Sequence, residues 1–264
     1  MTLTTAATTP SCTYPSAAEQ LADLHAHLCQ HFDAQPRDRV NDDAVLSGLA
    51  TLLREHCHLK RMTLLLSSII ASPTLLASIA ARSYWHGNGF LKVVLLDHGY
   101  KLRLHIWFAG TACEENIHSH RWGFASHVLT GTLKSELWAD AANDGALDNQ
   151  RLCADEYVYT AKHEQGDTHV PAHKRYVGMT CLQKQQNLLH GAGASYVMTP
   201  SQLHRINHPG QALVATVICT APTPVLTNRL FPTIPDPKLQ PAHLSADELK
   251  QALTRYLSHE PLAA

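Results

Sequence analysis

The sequence predicts a mainly β fold behind a helical N-terminal region. Two observations carry that prediction. Apolar residues recur at intervals of three and four through residues 17–85. From residue 86 onward they fall instead into short β-rich runs separated by turn residues, with no helical pattern between them. A chain of 264 residues, 45% hydrophobic, can bury the core that such a fold needs as one large domain or as a domain with a helical extension.

Residues 1–16, "MTLTTAATTPSCTYPS", have no basic or apolar leader pattern and are expected to form a disordered tail. Leu21, Leu24 and Leu28, then Val45, Leu46, Leu49, Leu52 and Leu53, mark helices. "LLLSSIIASPTLLASIAA" (64–81) is the most membrane-like stretch, but five Ser and Pro positions interrupt it, which predicts buried helix rather than a span. A further helix is expected after Ser72, with Ser72 as cap and Pro73 in the first turn. The strand runs are "FLKVVLL", "KLRLHIWF", "FASHVL", "TLKSELW", "EYVYTA", "RYVGMTCL", "SYVMTP" and "ALVATVICT". Five prolines before Lys238 and one after it make 222–243 an extended strap, and Ser245-Ala-Asp-Glu is a capping box for a last helix to about His259. The domain boundaries that follow are 1–16, 17–85, 86–224 and 225–264.

Charge narrows the partners. Lys and Arg number 21 against 22 Asp and Glu, so no summed field draws in nucleic acid or an anionic membrane, and a small neutral or zwitterionic molecule is the expected partner. Seven scattered cysteines with no CxxC predict neither a disulfide framework nor a zinc ribbon and suit a reducing cytoplasm. Oligomeric state is left open.

The constellation with chemistry is "IHSHRWGFASHVLTG" (117–131). Residues i and i+2 of a strand share a face, so His118 and His120 project together while Ser119 points away. A third ligand must come from elsewhere, and His204 in "TPSQLHRIN" is the candidate. By the same alternation Arg103, His105 and Trp107 share one face of "KLRLHIW".

Gly110-(x)7-His118-x-His120-(x)3-Phe124-(x)6-Gly131 resembles the first motif of the cupin superfamily, and Tyr196-x-Met198-x-Pro200-(x)3-His204-x-x-Asn207 is similar to the second. The resemblance covers about 86–224 and implies a cupin barrel, the double-stranded β-helix or jelly roll, preceded by the α-helical region. Within the superfamily the likeness is to thiol dioxygenases of the cysteine dioxygenase type: "LHRIN" is followed by an apolar strand ending in "APTP", Phe124 stands where ordinary cupins place a glutamate ligand, and "GYKLRLHIWF" precedes the His pair. It implies a non-haem three-histidine site of His118, His120 and His204 with Fe(II) as metal and O2 as co-substrate. Imidazole also suits Ni, Zn and Cu. It further implies that the Trp107 face lines the cavity, with Arg103 gripping a substrate carboxylate ahead of Lys92, which lies near where those enzymes keep a substrate-binding Arg. His105, Phe124 and Tyr196 are then expected around the metal or cavity, and no catalytic acid or base is assigned. The family's Ser-x-His-x-Tyr relay is missing, because the strand after the third ligand carries Ala215, Val217 and Cys219, and Phe124 removes the Cys of its crosslink.

Other histidines have plainer readings. "HVPAHK" (His169, His173) is a surface loop, and His25, His27 and His31 form a solvated helix face without partner ligands. Glu115 precedes the His pair in a loop and is read as a loop residue rather than a ligand. The expected function is a cytoplasmic iron-dependent oxygenase or dioxygenase acting on a small amino-acid-like or thiol substrate, with a place in a biosynthetic pathway. The alternatives are a non-oxidative isomerase, lyase or decarboxylase using Zn or Ni, and a binding cupin without turnover.

Overall fold

Each helix forms where one face can be buried. The computed structural model describes residues 15–141, 150–165, 168–222, 225–234 and 242–259, so most of the expected tail lies outside the described residues. Helix α1 (Ala17–Asp33) opens on a capping box, in which the Glu19 amide donates to the Ser16 hydroxyl and the Glu19 carboxylate accepts from the Ser16 amide. Its spacing of Leu21, Leu24, Leu28 and Phe32 puts all four on one buried stripe. Helices α2 (Asp43–His56) and α3 (Leu59–Ile70) bury Leu46, Leu49 and Leu53, and Met62, Leu65 and Ile69, in the same way. Helix α4 (Pro73–Ala80) has Pro73 in its first turn, where a missing N–H costs nothing. The expected Ser72 cap is not made: Ser72 occupies the N-cap position, but its side chain makes no cap hydrogen bond. The membrane-like stretch is therefore two helices bent by 104° at Ser72, and no single helix among the described residues is long and apolar enough to cross a membrane. Helix α5 (Ala246–His259) carries the Ser245–Glu248 capping box and packs on α3 and α4.

The strands, in chain order, are β1 (Tyr84–Trp85), β2 (Leu91–His98), β3 (Tyr100–Trp107), β4 (Cys113–Glu114), β5 (Ile117–His118), β6 (Phe124–Thr130), β7 (Thr132–Asp140) and β8 (Arg151–Thr160). They continue with β9 (His163–Gln165), β10 (Thr168–Val170), β11 (His173–Gly191), β12 (Ser195–Met198), β13 (Leu203–His208), β14 (Val214–Thr220), β15 (Thr227–Phe231) and β16 (Ala242–His243). One antiparallel sheet runs β12-β6-β14-β3-β2-β1-β16. The facing sheet runs β4-β13-β5-β15-β8-β11-β7, with β7 pairing back onto β13. The two facing sheets make a mainly β, double-stranded β-helix barrel behind an N-terminal helical layer, as the sequence predicts.

Three features depart from the sequence expectations. Thr227–Phe231, inside the proline-rich strap, is a true strand because it fills the gap between β5 and β8. "LHRINH" is β13, a strand that no alternation of polar and apolar residues advertised, since both its faces are largely buried. Finally, Cys153 and Cys181 are disulfide-bonded, because the β8–β11 register sets them directly opposite each other.

The helices cover the outer face of the first sheet. Leu102, Leu104 and Ile106 of β3 join Ala215, Val217 and Cys219 of β14 and the helical leucines in one core. The opposite faces of those strands are thereby turned inward, toward the second sheet.

Candidate metal centre and cavity

The first sheet supplies a wall and the second supplies the histidines. His118 ends β5, and β13 pairs antiparallel with it so that His204 lies directly opposite His118. His120 follows two residues later and returns to the same side by strand parity, although it lies just beyond β5. The three imidazoles form a near-equilateral triangle, with ring centroids 4.7 to 4.9 Å apart. Their ligand nitrogens all lie within 4.8 Å of one another. His120 Nε2 and His204 Nε2 approach to 2.8 Å, and nitrogens sharing one metal at about 2.1 Å sit roughly 3 Å apart. His118 Nδ1 donates to the Asn116 carbonyl at 2.8 Å, which leaves Nε2 as its lone-pair nitrogen. Burial, and the charge of His118 nearby, hold His120 and His204 well below the usual imidazole range, so both are neutral as ligands must be. The triad fits a metal ion.

The loop after His120 is tied to the helical layer. Gly123 donates its N–H to the Asn41 side chain, and a Cβ at Gly123 would lie 2.7 Å from a Leu46 methyl. At Gly131 the backbone adopts φ +72°, and a Cβ would strike the Leu213 carbonyl, which is why glycine closes the hairpin.

The triangle opens into a cavity of about 140 Å³. Every residue named from the sequence reaches it: Lys92 from β2, Arg103, His105 and Trp107 from β3, Phe124 from β6 and Tyr196 from β12. Phe124 packs edge-on against the His120 ring at 5.1 Å, and an apolar ring there cannot add a fourth ligand. His86, Asn88, Phe90, Glu115 and Trp122 also line it and were not picked out as cavity residues. Phe90 shares the parity of Lys92, so that residue was readable, whereas His86 sits in a turn that no period reaches. Glu115 faces the cavity but stands outside the histidine triangle, accepting from the Ile206 amide at 3.2 Å and the Asn88 side chain at 3.3 Å.

Electrostatics inside are severe. Burial, reinforced by Arg103, brings Lys92 down to about 7. Burial also lowers Arg103 and, with Lys92 close by, pushes His105 well down. His86 falls to about 3 through burial and the charge of Lys92. Tyr196 is pushed up to about 12 by burial and so keeps its phenolic proton at neutral pH.

Two further expectations are corrected. Ala215, Val217 and Cys219, compared above with the relay strand, face the helical core; Ile218 and Thr220 are the residues of β14 that line the cavity, so this strand offers no Ser-His-Tyr set on either face. On α1, His27 is not without ligand partners: Asp23 and His56 gather around it. The Arg61 guanidinium, however, donates to Asp23 and to His56 Nδ1, satisfying that cluster internally. His173 opens β11, and the side chain of His169 lies outside the described residues.

No family model matches the chain, and no curated protein matches it. Solved structures do. An RmlC-like cupin from Shewanella frigidimarina is 14% identical with a TM-score of 0.31, covering 54% of this chain and 84% of that one. An RmlC-like cupin with a double-stranded β-helix fold from Methanocaldococcus jannaschii is 8% identical with a TM-score of 0.30, over 52% and 84%. Hydroquinone 1,2-dioxygenase PnpCD, solved with Cd2+ and 4-hydroxybenzonitrile, is 14% identical with a TM-score of 0.29; the match spans 50% of this chain and 63% of that enzyme.

Proposed function

We propose that the chain is a metal-dependent oxygenase of cupin type in which His118, His120 and His204 hold Fe(II) and O2 is the co-substrate. The reading rests on one observation: three imidazoles converge on one point in the wall of a small, aromatic-lined cavity that carries two cations. His118, His120 and His204 would hold ferrous iron without a carboxylate, and the iron would supply the electrons that activate O2.

The chain's own residues do the rest. Arg103 presents a planar fork to a substrate carboxylate, and Lys92 offers a second positive group. Phe90, Trp107 and Phe124 exclude water from the reacting end, and Tyr196 keeps a phenolic proton available for donation. A volume of about 140 Å³ matches a cavity that admits one benzene-sized molecule, which suits an amino-acid-like or thiol substrate. The likeness to cysteine dioxygenases supports thiol chemistry, while the missing relay supports a different substrate from cysteine. Cys29, Cys57, Cys113 and Cys219 are free thiols, whereas the Cys153–Cys181 bond runs against the reducing setting expected from the sequence.

A second reading has its own support: an amine as easily deprotonated as Lys92 suits proton transfer by an isomerase, lyase or decarboxylase with Zn or Ni at the same triad. Metal analysis of protein purified without chelator, wild type against His120→Ala, comes first, and equal metal content would end both readings. Oxygen uptake by anaerobically iron-loaded protein with thiols and amino acids then separates them. Turnover under Zn with no uptake would select the second.

A further inference from the structure

Resting on the reading above for the position of the reacting end, we propose that the substrate's tail carries two negative charges, as paired carboxylates or a phosphonate, and that Lys92 and Arg103 hold that tail together. The two cations are not alternatives for one carboxylate. Each has its own cradle: Lys92 Nζ stands 5.2 Å from the Tyr84 ring and 5.6 Å from the Phe90 ring, while the Arg103 guanidinium lies 5.2 Å from the Trp122 ring. Among the described residues neither forms an ion pair with a carboxylate. Glu115, the carboxylate lining the cavity, bonds the Ile206 amide and the Asn88 side chain rather than either cation, and its charge reaches Lys92 only through space.

The register lets both cations act on one group. Lys92 pairs directly with His105, and Arg103 is two residues from His105 on the same face of β3. Such diagonal neighbours are roughly 7–8 Å apart at the backbone, within reach of two long side chains. On that wall Arg103 Nε is an N–H buried without a hydrogen-bond partner, and His105 Nε2 is likewise unpartnered. Buried charges and unpartnered polar atoms cost stability, and an acceptor-rich anion beside Arg103 relieves both at once. A single carboxylate bonds one cation and leaves the other with no anion in contact.

The test measures the tail alone. Binding of acetate, malonate and sulfate to full-length protein is followed at pH 6.5 and fixed ionic strength by calorimetry and tryptophan fluorescence, with the protein as purified and after metal removal. The expected result is that malonate or sulfate, both dianions at this pH, binds at least tenfold more tightly than acetate with or without metal. Lys92→Met should shrink that ratio below threefold, and Lys92→Arg should retain it. Whichever dianion wins identifies paired carboxylates or a tetrahedral group. Acetate binding as tightly as both dianions, no binding of any probe, or an unchanged ratio in Lys92→Met would overturn the proposal. If metal content is normal and the ratio is one, the two-charge tail fails and the metal reading stands. If the ratio is large but no metal binds, the reverse holds.

Discussion

Replacing Lys92 by Met should stabilise the metal-free protein at acid pH and do nothing at high pH. The lysine falls from its usual 10.5 to about 7 because its ammonium is desolvated beside Arg103. Its folded value lies below its unfolded value, so between those limits the unfolded chain binds more protons and stability rises with pH. The full penalty is present below about pH 7 and vanishes as pH approaches 10.5. At about 1.36 kcal/mol per unit the shift corresponds to roughly 5 kcal/mol, and water in the cavity reduces that to about 2–4 kcal/mol. Methionine keeps nearly the same volume without the charge. The other groups facing Lys92 leave the window clear: His86 and His105 are neutral throughout, and Arg103 stays charged. Thermal melts of chelator-treated wild type and variant from pH 6 to 9.5 should show the variant higher by about 5–12 °C at pH 6, with the gap closing as pH rises. A variant equal to or less stable than wild type at pH 6, or a gap independent of pH, would refute the reasoning.

Three other outcomes are expected. Gly123→Ala should cost about 1–3 kcal/mol in chemical denaturation, because the new methyl meets Leu46 and Asn41, and should weaken metal binding by displacing the loop that carries His120; unchanged stability would show that the helical layer does not brace that loop. Leu28→Ala, at a fully buried position on the α1 stripe, should cost about 2–5 kcal/mol by the same assay. Glu136 accepts from Lys184, Arg205 and the Trp138 indole, and although burial pushes its carboxyl up, Arg205 and Lys184 outweigh this and lower it. Its contribution is present above pH 4.5 and lost as pH falls through the lower folded value, so Glu136→Gln should destabilise at pH 7 by about 2–4 kcal/mol and flatten acid unfolding.

Local periods determined much of this protein. The intervals of three and four at Leu21, Leu24 and Leu28 fix a helical stripe whatever it packs on, and alternation puts His118 with His120 and Arg103 with His105 and Trp107 on shared faces. Such periods state which residues share a face but not which face turns inward or what stands opposite. Tertiary structure decided those matters. Pairing of β13 with β5, 86 residues apart at His118 and His204, made three histidines a triangle. Register across β8 and β11 joined Cys153 to Cys181, and the helical layer claimed the Ala215–Cys219 face of β14 for the core. His86, Glu115 and Trp122 reached the cavity from turns and loops, where no repeat exists to read. Lys92 shows the division most plainly: its place on β2 is a matter of local sequence, but its proton affinity is set by burial beside an arginine brought there by strand pairing.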